Sequence, residues 1–590
     1  MRTRRTLAAA LSLPLAASLV TLGVAPGAGA APAAQTGQTS EYTVLLEDGA
    51  NRDAALSAVR AAGGTVTKEN TAIGALTVTA PASGFVQRVA ASEAIVGATH
   101  ARSIGTAPQQ PGVTPEAVRQ RDLVEKENQF GPRASARKAA PDPRGQQATA
   151  GLDPLDDQLW GLNMVRSTLA RDKQAGDRRV TVGVLDTGVD GTHPDIAPNF
   201  DAALSRNFTV DIPYDSTGAV VDGPCEFRGC VDPANHDGGG HGTHVAGTIA
   251  AAANGFGISG VAPNVTLVNI RGGQDSGYFF LQPVVDALTY GADIGLDVIN
   301  MSFYVDPWLY NCTANPADSP EAQLEQRTTI AAVQRALNYA HRKGVTLVGA
   351  LGNNHEDLGK PRTDYSSPDY PAGATYARPI DNADCLDLPT EGEHVISVAA
   401  LGPSGTKADY SNYGVEQATV SAPGGYYRDG VGTDWYLANE NLILSTYPRN
   451  IALEDGAIDA DGNITPAGQS LGVQKDCTSG VCGYYQFLQG TSMAAPHATG
   501  VAALIVSQYG TADKDRPGTL TMAPDKVEKV LRGTATKRAC PVPPTVSYAN
   551  VGRPAEFDAT CEGTEKFNGF YGSGIVDAYG AVTRGKDYLK

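Results

Sequence analysis

A chain of 590 residues exceeds one ordinary domain, so it carries two or more folded units or one enlarged one. With 42% hydrophobic and 18% charged residues it is globular rather than disordered, and its 67 Gly and 37 Pro call for many turns. A net charge of −17 excludes nucleic-acid binding as the main role and suits a soluble protein that repels its own copies. The first element is a basic start (Arg2, Arg4, Arg5), an Ala/Leu-rich run and the small-residue site Ala28-Gly29-Ala30. That layout predicts a secretory signal over 1–30. Residues 7–25 alone would nearly span a bilayer, but Pro14 and the cleavage site favour removal over anchoring. No later stretch is long and apolar enough to cross a membrane. Export makes the eight cysteines read as disulfides rather than metal ligands. Cys225/Cys230 and Cys477/Cys482 invite local loops and leave Cys312/Cys385 and Cys540/Cys561 as the simplest other pairs, with connectivity open.

After a polar leader at 31–40, residues 41–100 predict a small α+β unit. "YTVLL" reads as a strand and "RDAALSAVRAAG" as an amphipathic helix stopped by glycine. "GTVTKE" and "ALTVTA" follow as strands, "FVQRVAAS" as a helix and "AIVGAT" as a last strand. The order β-α-β-β-α-β is a compact, ferredoxin-like motif. Residues 101–151 are rich in Gln, Pro, Arg and Lys with little apolar periodicity, which predicts a linker open to proteolysis. From 152 the texture changes. "VTVGVLDTG", "TLVNI", "DVINMS", "GVTLVGALGN" and "HVISVAAL" are buried strands separated by helical stretches such as "TIAAVQRALNYAHRKG". This alternation predicts an α/β fold with a mostly parallel sheet, whose site gathers at the C-terminal strand ends. Asp186, Ser302 and Asn353 all fall there.

Three stretches carry chemistry. "VLDTGVDGTHPD" places Asp186 just past a strand, where a lone Asp-Thr-Gly is ordinarily a turn. "HDGGGHGTHVAGTIAAA" places His241 and His244 at the start of an Ala-rich helix, without the H-E-x-x-H pattern of a zinc site. "GTSMAAPHATG" places Ser492 at the head of another helix, where a hydroxyl is ordinarily a cap. Serine hydrolysis needs a hydroxyl, an imidazole to take its proton and a carboxylate to hold that imidazole. It also needs an oxyanion donor, for which Asn353 in "GALGNN" is the candidate.

Taken jointly, in the order Asp…His…Asn…Ser, these stretches resemble the subtilisin-like serine proteases (subtilases). The motifs are D-T-G-V-D-G-T-H-P-D at 186–195, H-G-T-H-V-A-G-T at 241–248 and G-T-S-M-A-A-P-H at 490–497. The resemblance covers roughly 152–582 and includes "GVAPNVTL", "DVINMS", "SAPG" and "GSGIVDA". It implies a three-layer α/β catalytic domain over 152–590, with Asp186, His241 and Ser492 as triad, Asn353 as oxyanion donor and His244 as a structural residue. It further implies that 31–100 is an inhibitory propeptide domain and 101–151 the linker and processing region. Substrates would be polypeptides, with the propeptide as intramolecular inhibitor, and the mature protein would be extracellular, without nucleic acid or membrane; the sequence leaves the oligomeric state open, with a monomer the expectation. Ser302, Phe303, Tyr304 and Gly352 would border substrate. Where the family has a small residue and two glycines after Ser302, Phe303-Tyr304-Val305 stand here, which predicts a tighter specificity. No cofactor is needed for the chemistry. Asp195 and Asn254 match positions that hold structural calcium in many subtilases, and oxygen ligands suit that cation. An esterase of the α/β-hydrolase type is excluded by the missing G-x-S-x-G and the reversed order. A sedolisin-type acid protease gives no reason for H-G-T-H. A secreted, non-catalytic binding protein on the same scaffold is the alternative, although no catalytic letter is missing.

Overall fold

The computed structural model describes residues 39–101, 120–130, 153–215, 218–371 and 373–589. The expected signal segment lies outside the described residues. Strand β1 (Thr39–Leu46), helix α1 (Arg52–Ala61), strands β2 (Thr65–Asn70) and β3 (Ala75–Pro81), helix α2 (Phe85–Ala90) and strand β4 (Ile95–His100) follow in that order. The four strands form one antiparallel sheet, β2-β3-β1-β4. Asn51 starts α1 by accepting the Asp53 and Ala54 N–H groups at 2.8 and 3.3 Å, the ordinary duty of an N-cap asparagine. β1 shows the period of two that a strand buried on both faces requires. Tyr42, Val44 and Leu46 pack against Val59, Val78 and Phe85 in the unit's own core. Leu45 faces the other way and joins a second core.

That second core belongs to a large sheet. Strands β5 (Thr181–Leu185), β6 (Thr266–Arg271), β7 (Val298–Met301), β8 (Thr346–Ala350), β9 (Val395–Leu401) and β10 (Val420–Pro423) stand in the order β10-β9-β8-β7-β5-β6, and Arg206–Asn207 adds an edge. Every pairing is parallel. On one face lie helices α5 (His241–Ala250) and α8 (Thr491–Tyr509), whose Val245, Ile249, Ala498 and Val501 meet Val182, Val184, Val298 and Val348. On the other lie α6 (Leu281–Ile294) and α7 (Pro320–Arg342), whose Val284, Leu288, Val333 and Leu337 meet Leu185, Ile299 and Leu347. Strands covered on both faces are apolar throughout, as parallel sheets require. The N-terminal unit sits on α6 and α7: Lys68 pairs with Asp286 at 2.8 Å, Asn70 donates to Asp286 at 2.8 Å, and Thr43 donates to Gln282 at 2.9 Å.

The cysteines form four disulfides, Cys225–Cys230, Cys312–Cys385, Cys477–Cys482 and Cys540–Cys561. Among the described residues no helix is long and apolar enough to cross a membrane. One stretch departs from the sequence reading. Within the linker, short helices α3 (Gln120–Glu125) and α4 (Glu127–Phe130) follow one another. Nothing in their composition demands a helix; ion pairs with distant residues hold them.

Candidate active site

Register brings the strand ends together. Leu185 pairs with Met301, and Met301 with Gly349, so β5, β7 and β8 end in line and present Asp186, Ser302 and the Gly352-Asn353 turn at one edge. Next to β5 the chain order reverses, since β6 lies on one side of it and β7 on the other. Such a switch point leaves a crevice at the carboxyl ends.

His241 and Ser492 enter that crevice from the first turns of α5 and α8. Gly240 precedes His241 with φ 78°, a left-handed conformation that suits a residue without Cβ. The buried Asp237 fixes this corner. Its carboxylate accepts the Thr187 hydroxyl at 2.9 Å, the Gly240 N–H at 2.8 Å, and the Thr243 N–H and hydroxyl at 2.9 and 2.6 Å. It therefore caps α5 and ties it to the Asp186 turn. Sequence reading passed over Asp237, although an acid just ahead of a helix start is a capping signal. At α8, Pro496 has no N–H to give the carbonyl of Ser492 four residues back. The Ser302 hydroxyl donates to that carbonyl instead at 3.1 Å, and Asn300 donates to Ser302 at 2.9 Å.

Asp186 is fully buried, and its Oδ1 accepts from His241 Nδ1 at 2.7 Å and from the Thr187 N–H at 2.8 Å. The other imidazole nitrogen faces a residue from the linker. Glu125 Oε1 lies 3.5 Å from His241 Nε2 and accepts the Ser492 hydroxyl at 2.7 Å. One carboxylate oxygen thus stands between serine and histidine, and no hydrogen bond joins those two directly. Burial alone would depress the His241 pKa; the charges of Asp186 and Glu125 outweigh it and raise it to about 10. His244, one turn on, lies against the Ile443 and Gln486 carbonyls at 3.0 and 3.3 Å. Burial and the neighbouring His241 charge push its pKa down to about 3, so it is neutral.

Asn353 Oδ1 accepts the Thr491 N–H and hydroxyl, both at 2.9 Å, which turns Nδ2 toward the same point. A Cβ on Gly490 (φ 150°) would lie 3.2 Å from Glu125 Cγ, 3.3 Å from Glu125 Oε1 and 3.4 Å from Asn353 Nδ2. The glycine leaves room for the groups that meet there. The Gly352 N–H donates to Thr491 Oγ1 at 3.0 Å. Phe303 lies flat on Phe279, with centroids 4.1 Å apart, and the Tyr304 hydroxyl donates to Asp369 at 2.6 Å.

Asp195 and Asn254 meet away from this crevice. Asp195 Oδ2 accepts the Ile258 N–H at 3.0 Å and the Tyr485 hydroxyl at 2.7 Å. The Asn254 amide nitrogen, not its oxygen, faces Asp195 at 3.5 Å, because that oxygen accepts the Phe256 N–H at 2.9 Å. Asp153, which sequence reading missed, accepts the Gly255 N–H at 2.5 Å and keeps a buried Oδ2 without a hydrogen bond. Burial raises Asp153 to about 6 and Asp195 to about 7. Two desolvated carboxylates with a spare oxygen fit a hard cation.

The model of the subtilase family matches residues 177–574. Fervidolysin of Fervidobacterium pennivorans is 29% identical over 392 residues, which are 65% of this chain and 41% of that protein. The matched stretch thus spans under half of fervidolysin. Subtilisin DY of Bacillus licheniformis is 27% identical over 352 residues, 60% of this chain and 85% of that protein. The crystal structure of the epidermin leader peptide processing serine protease of Staphylococcus aureus superposes with a TM-score of 0.56 at 19% identity, covering 92% of this chain and 98% of that one. It has the same fold.

Proposed function

The chain belongs to the subtilase family, and from that premise we propose that it is a secreted serine endopeptidase made as a self-inhibited preproprotein. One observation carries the reading: a single atom, Glu125 Oε1, lies 2.7 Å from the Ser492 hydroxyl and 3.5 Å from His241 Nε2, whose other nitrogen is held by Asp186 at 2.7 Å. Three residues far apart in sequence thus converge as a hydroxyl, a base and a carboxylate. His241 takes the Ser492 proton as Oγ attacks a peptide carbonyl, and Asp186 fixes the tautomer and stabilises the imidazolium. Asn353 Nδ2 and the Ser492 N–H, at the positive end of α8, donate to the oxyanion. His241 then protonates the leaving amine, and water releases the acyl-enzyme by the same route. Phe303 and Tyr304 crowd the non-prime side and narrow the choice of polypeptide. Nothing favours the non-catalytic alternative.

In this reading 1–30 is the signal, 31–100 the inhibitor domain and 152–590 the enzyme, while the processing region 101–151 supplies the block. Glu125 lies where a substrate's acyl group would lie, offers no bond to cut, and adds its charge to that of Asp186 in raising the His241 pKa. Activation therefore requires a cut beyond residue 130. The extracellular form, sequenced from its N-terminus, is expected to begin after 130 and to cleave unfolded polypeptide. A fully active form that begins near 101 and retains Glu125 would overturn the self-inhibition.

Calcium completes the proposal as a structural ion held by Asp195 and Asp153. Bound there it would offset the repulsion of two buried charges and brace the loop around Asn254. Both folded pKa values lie above the ordinary carboxylate range. Without metal, this pair favours the fold only at low pH, and that contribution is lost as pH rises through about 6 and 7. Chelation is therefore expected to lower Tm more at pH 8 than at pH 5. Calcium at 100 times its Kd would restore about 2.7 kcal/mol. A Tm indifferent to chelator at pH 8 removes calcium from the account.

A further inference from the structure

Two residues beyond Glu125, the buried Glu127 is gripped by three donors from the protease. Arg428 Nε reaches its Oε1 at 2.6 Å, Arg553 donates to the same oxygen at 3.0 Å, and Gln489 Nε2 donates to Oε2 at 2.9 Å. Each donor is anchored by groups outside the linker. Arg428 donates to the Val551 carbonyl at 2.6 Å, Arg553 to Asp409 at 2.5 Å, and Gln489 accepts the Tyr427 N–H at 2.7 Å. The cup is therefore built by the protease and does not depend on the segment that fills it. Gln489 is also three residues ahead of Ser492, so the cup borders the reacting serine.

The charges do not balance without Glu127. Arg553 keeps Asp409, but Glu127 is the carboxylate with which Arg428 is paired among the described residues. Two guanidiniums and one remaining carboxylate then leave a net positive charge in the vacated cup. A carboxylate from another chain restores both the charge balance and the bonds, whereas a neutral amide of the same shape leaves the charge unbalanced and turns its NH2 toward the Gln489 NH2.

We infer that Arg428, Arg553 and Gln489 form a specificity subsite for an acidic side chain of the substrate, filled by Glu127 in the precursor. The inference rests on the endopeptidase reading and deepens it. The linker then carries two separate devices, Glu125 against the reacting groups and Glu127 as a substrate-like anchor.

The test uses the processed, extracellular form of the full chain and N-acetylated, C-amidated peptides that hold one cleavable sequence. A single Glu, or a Gln control, is placed in turn at each position within four residues of the cut. At one position Glu is expected to be preferred over Gln by about 10- to 100-fold in kcat/KM, the range of hydrogen bonds to a charged group. The preference should shrink with added salt, because the pair is partly exposed. In Arg428→Met it should collapse toward unity, and a cooperative thermal transition checks that the variant folds. Arg553→Met, which strands Asp409, is read beside Arg428→Lys, which keeps the charge and loses the Nε bond; both should keep a reduced preference. Equal cleavage of Glu and Gln peptides at every position, or a preference undiminished in Arg428→Met, would overturn the subsite and leave the endopeptidase reading intact. Failure to cleave any peptide would instead strike at that reading.

Discussion

Ser492→Ala is expected to abolish peptide-bond hydrolysis and to leave the precursor folded and uncut. Removal of the nucleophile from such a triad costs about 10⁶-fold in kcat in subtilisin, because serine and histidine act as one unit. The fold has little stake in the hydroxyl. The Ser302–Ser492 bond uses the Ser492 carbonyl, and Asn353 holds α8 through Thr491, so neither is touched. What is lost is one bond to a charged acceptor, at Glu125, worth about 1.5–3 kcal/mol and confined to the linker helices, and a long bond from the hydroxyl to the Ser302 carbonyl at 3.5 Å. The thermal transition should therefore move little, while intact mass shows residues 101–151 still joined to the enzyme. Purified Ser492→Ala that matures at the unaltered rate would show that another group does the cutting.

The site was legible where its signals are local. Asp186, His241 and Ser492 each sit in a local motif that is weak alone and specific only when the three are taken together in order, and buried strands bounded by glycine turns announced the sheet that aligns them. His244 was set apart by the resemblance alone, which gives the chemistry to the first histidine of H-G-T-H. The residues that were missed act across large separations. Glu125 is 367 residues from Ser492, and Glu127 is 301 from Arg428. A helix held by such contacts has no periodicity of its own, because its stability comes from the groove it fills. Asp153 escaped for the same reason: its neighbours at 254–258 are a hundred residues away, and a lone Asp among Pro and Gly reads as a turn. Asn254 was singled out by the resemblance, but which of its atoms faces Asp195 depends on the Phe256 N–H, and no motif records that.

Glu125→Ala is expected to release the precursor. With the carboxylate gone, the Ser492 hydroxyl is free to turn to His241 Nε2, and the imidazole loses one of the two charges that raise its pKa to about 10. Loss of a bond to a charged group, with its ion pair, raises the population of the open site by about 10- to 100-fold. Hydrolysis of a short peptide by the intact precursor, and the rate of its self-processing, should rise accordingly. Glu127 still anchors the segment through Arg428 and Arg553, so release remains partial until the chain is cut. The pH dependence has a definite sign. A histidine whose folded pKa is raised contributes stability that is full below its ordinary value near 6.5 and is lost as pH rises through the folded value. The wild-type block therefore weakens as pH climbs toward 10, where His241 gives up its proton and becomes a base. Glu125→Gln keeps a hydrogen-bonding partner for Ser492 but removes the charge, so its processing profile should shift to lower pH with a smaller gain than the alanine variant. Equal rates and superimposable pH profiles for wild type, Glu125→Gln and Glu125→Ala would mean that the carboxylate between serine and histidine does not restrain them, and that the block resides in the docked N-terminal unit alone.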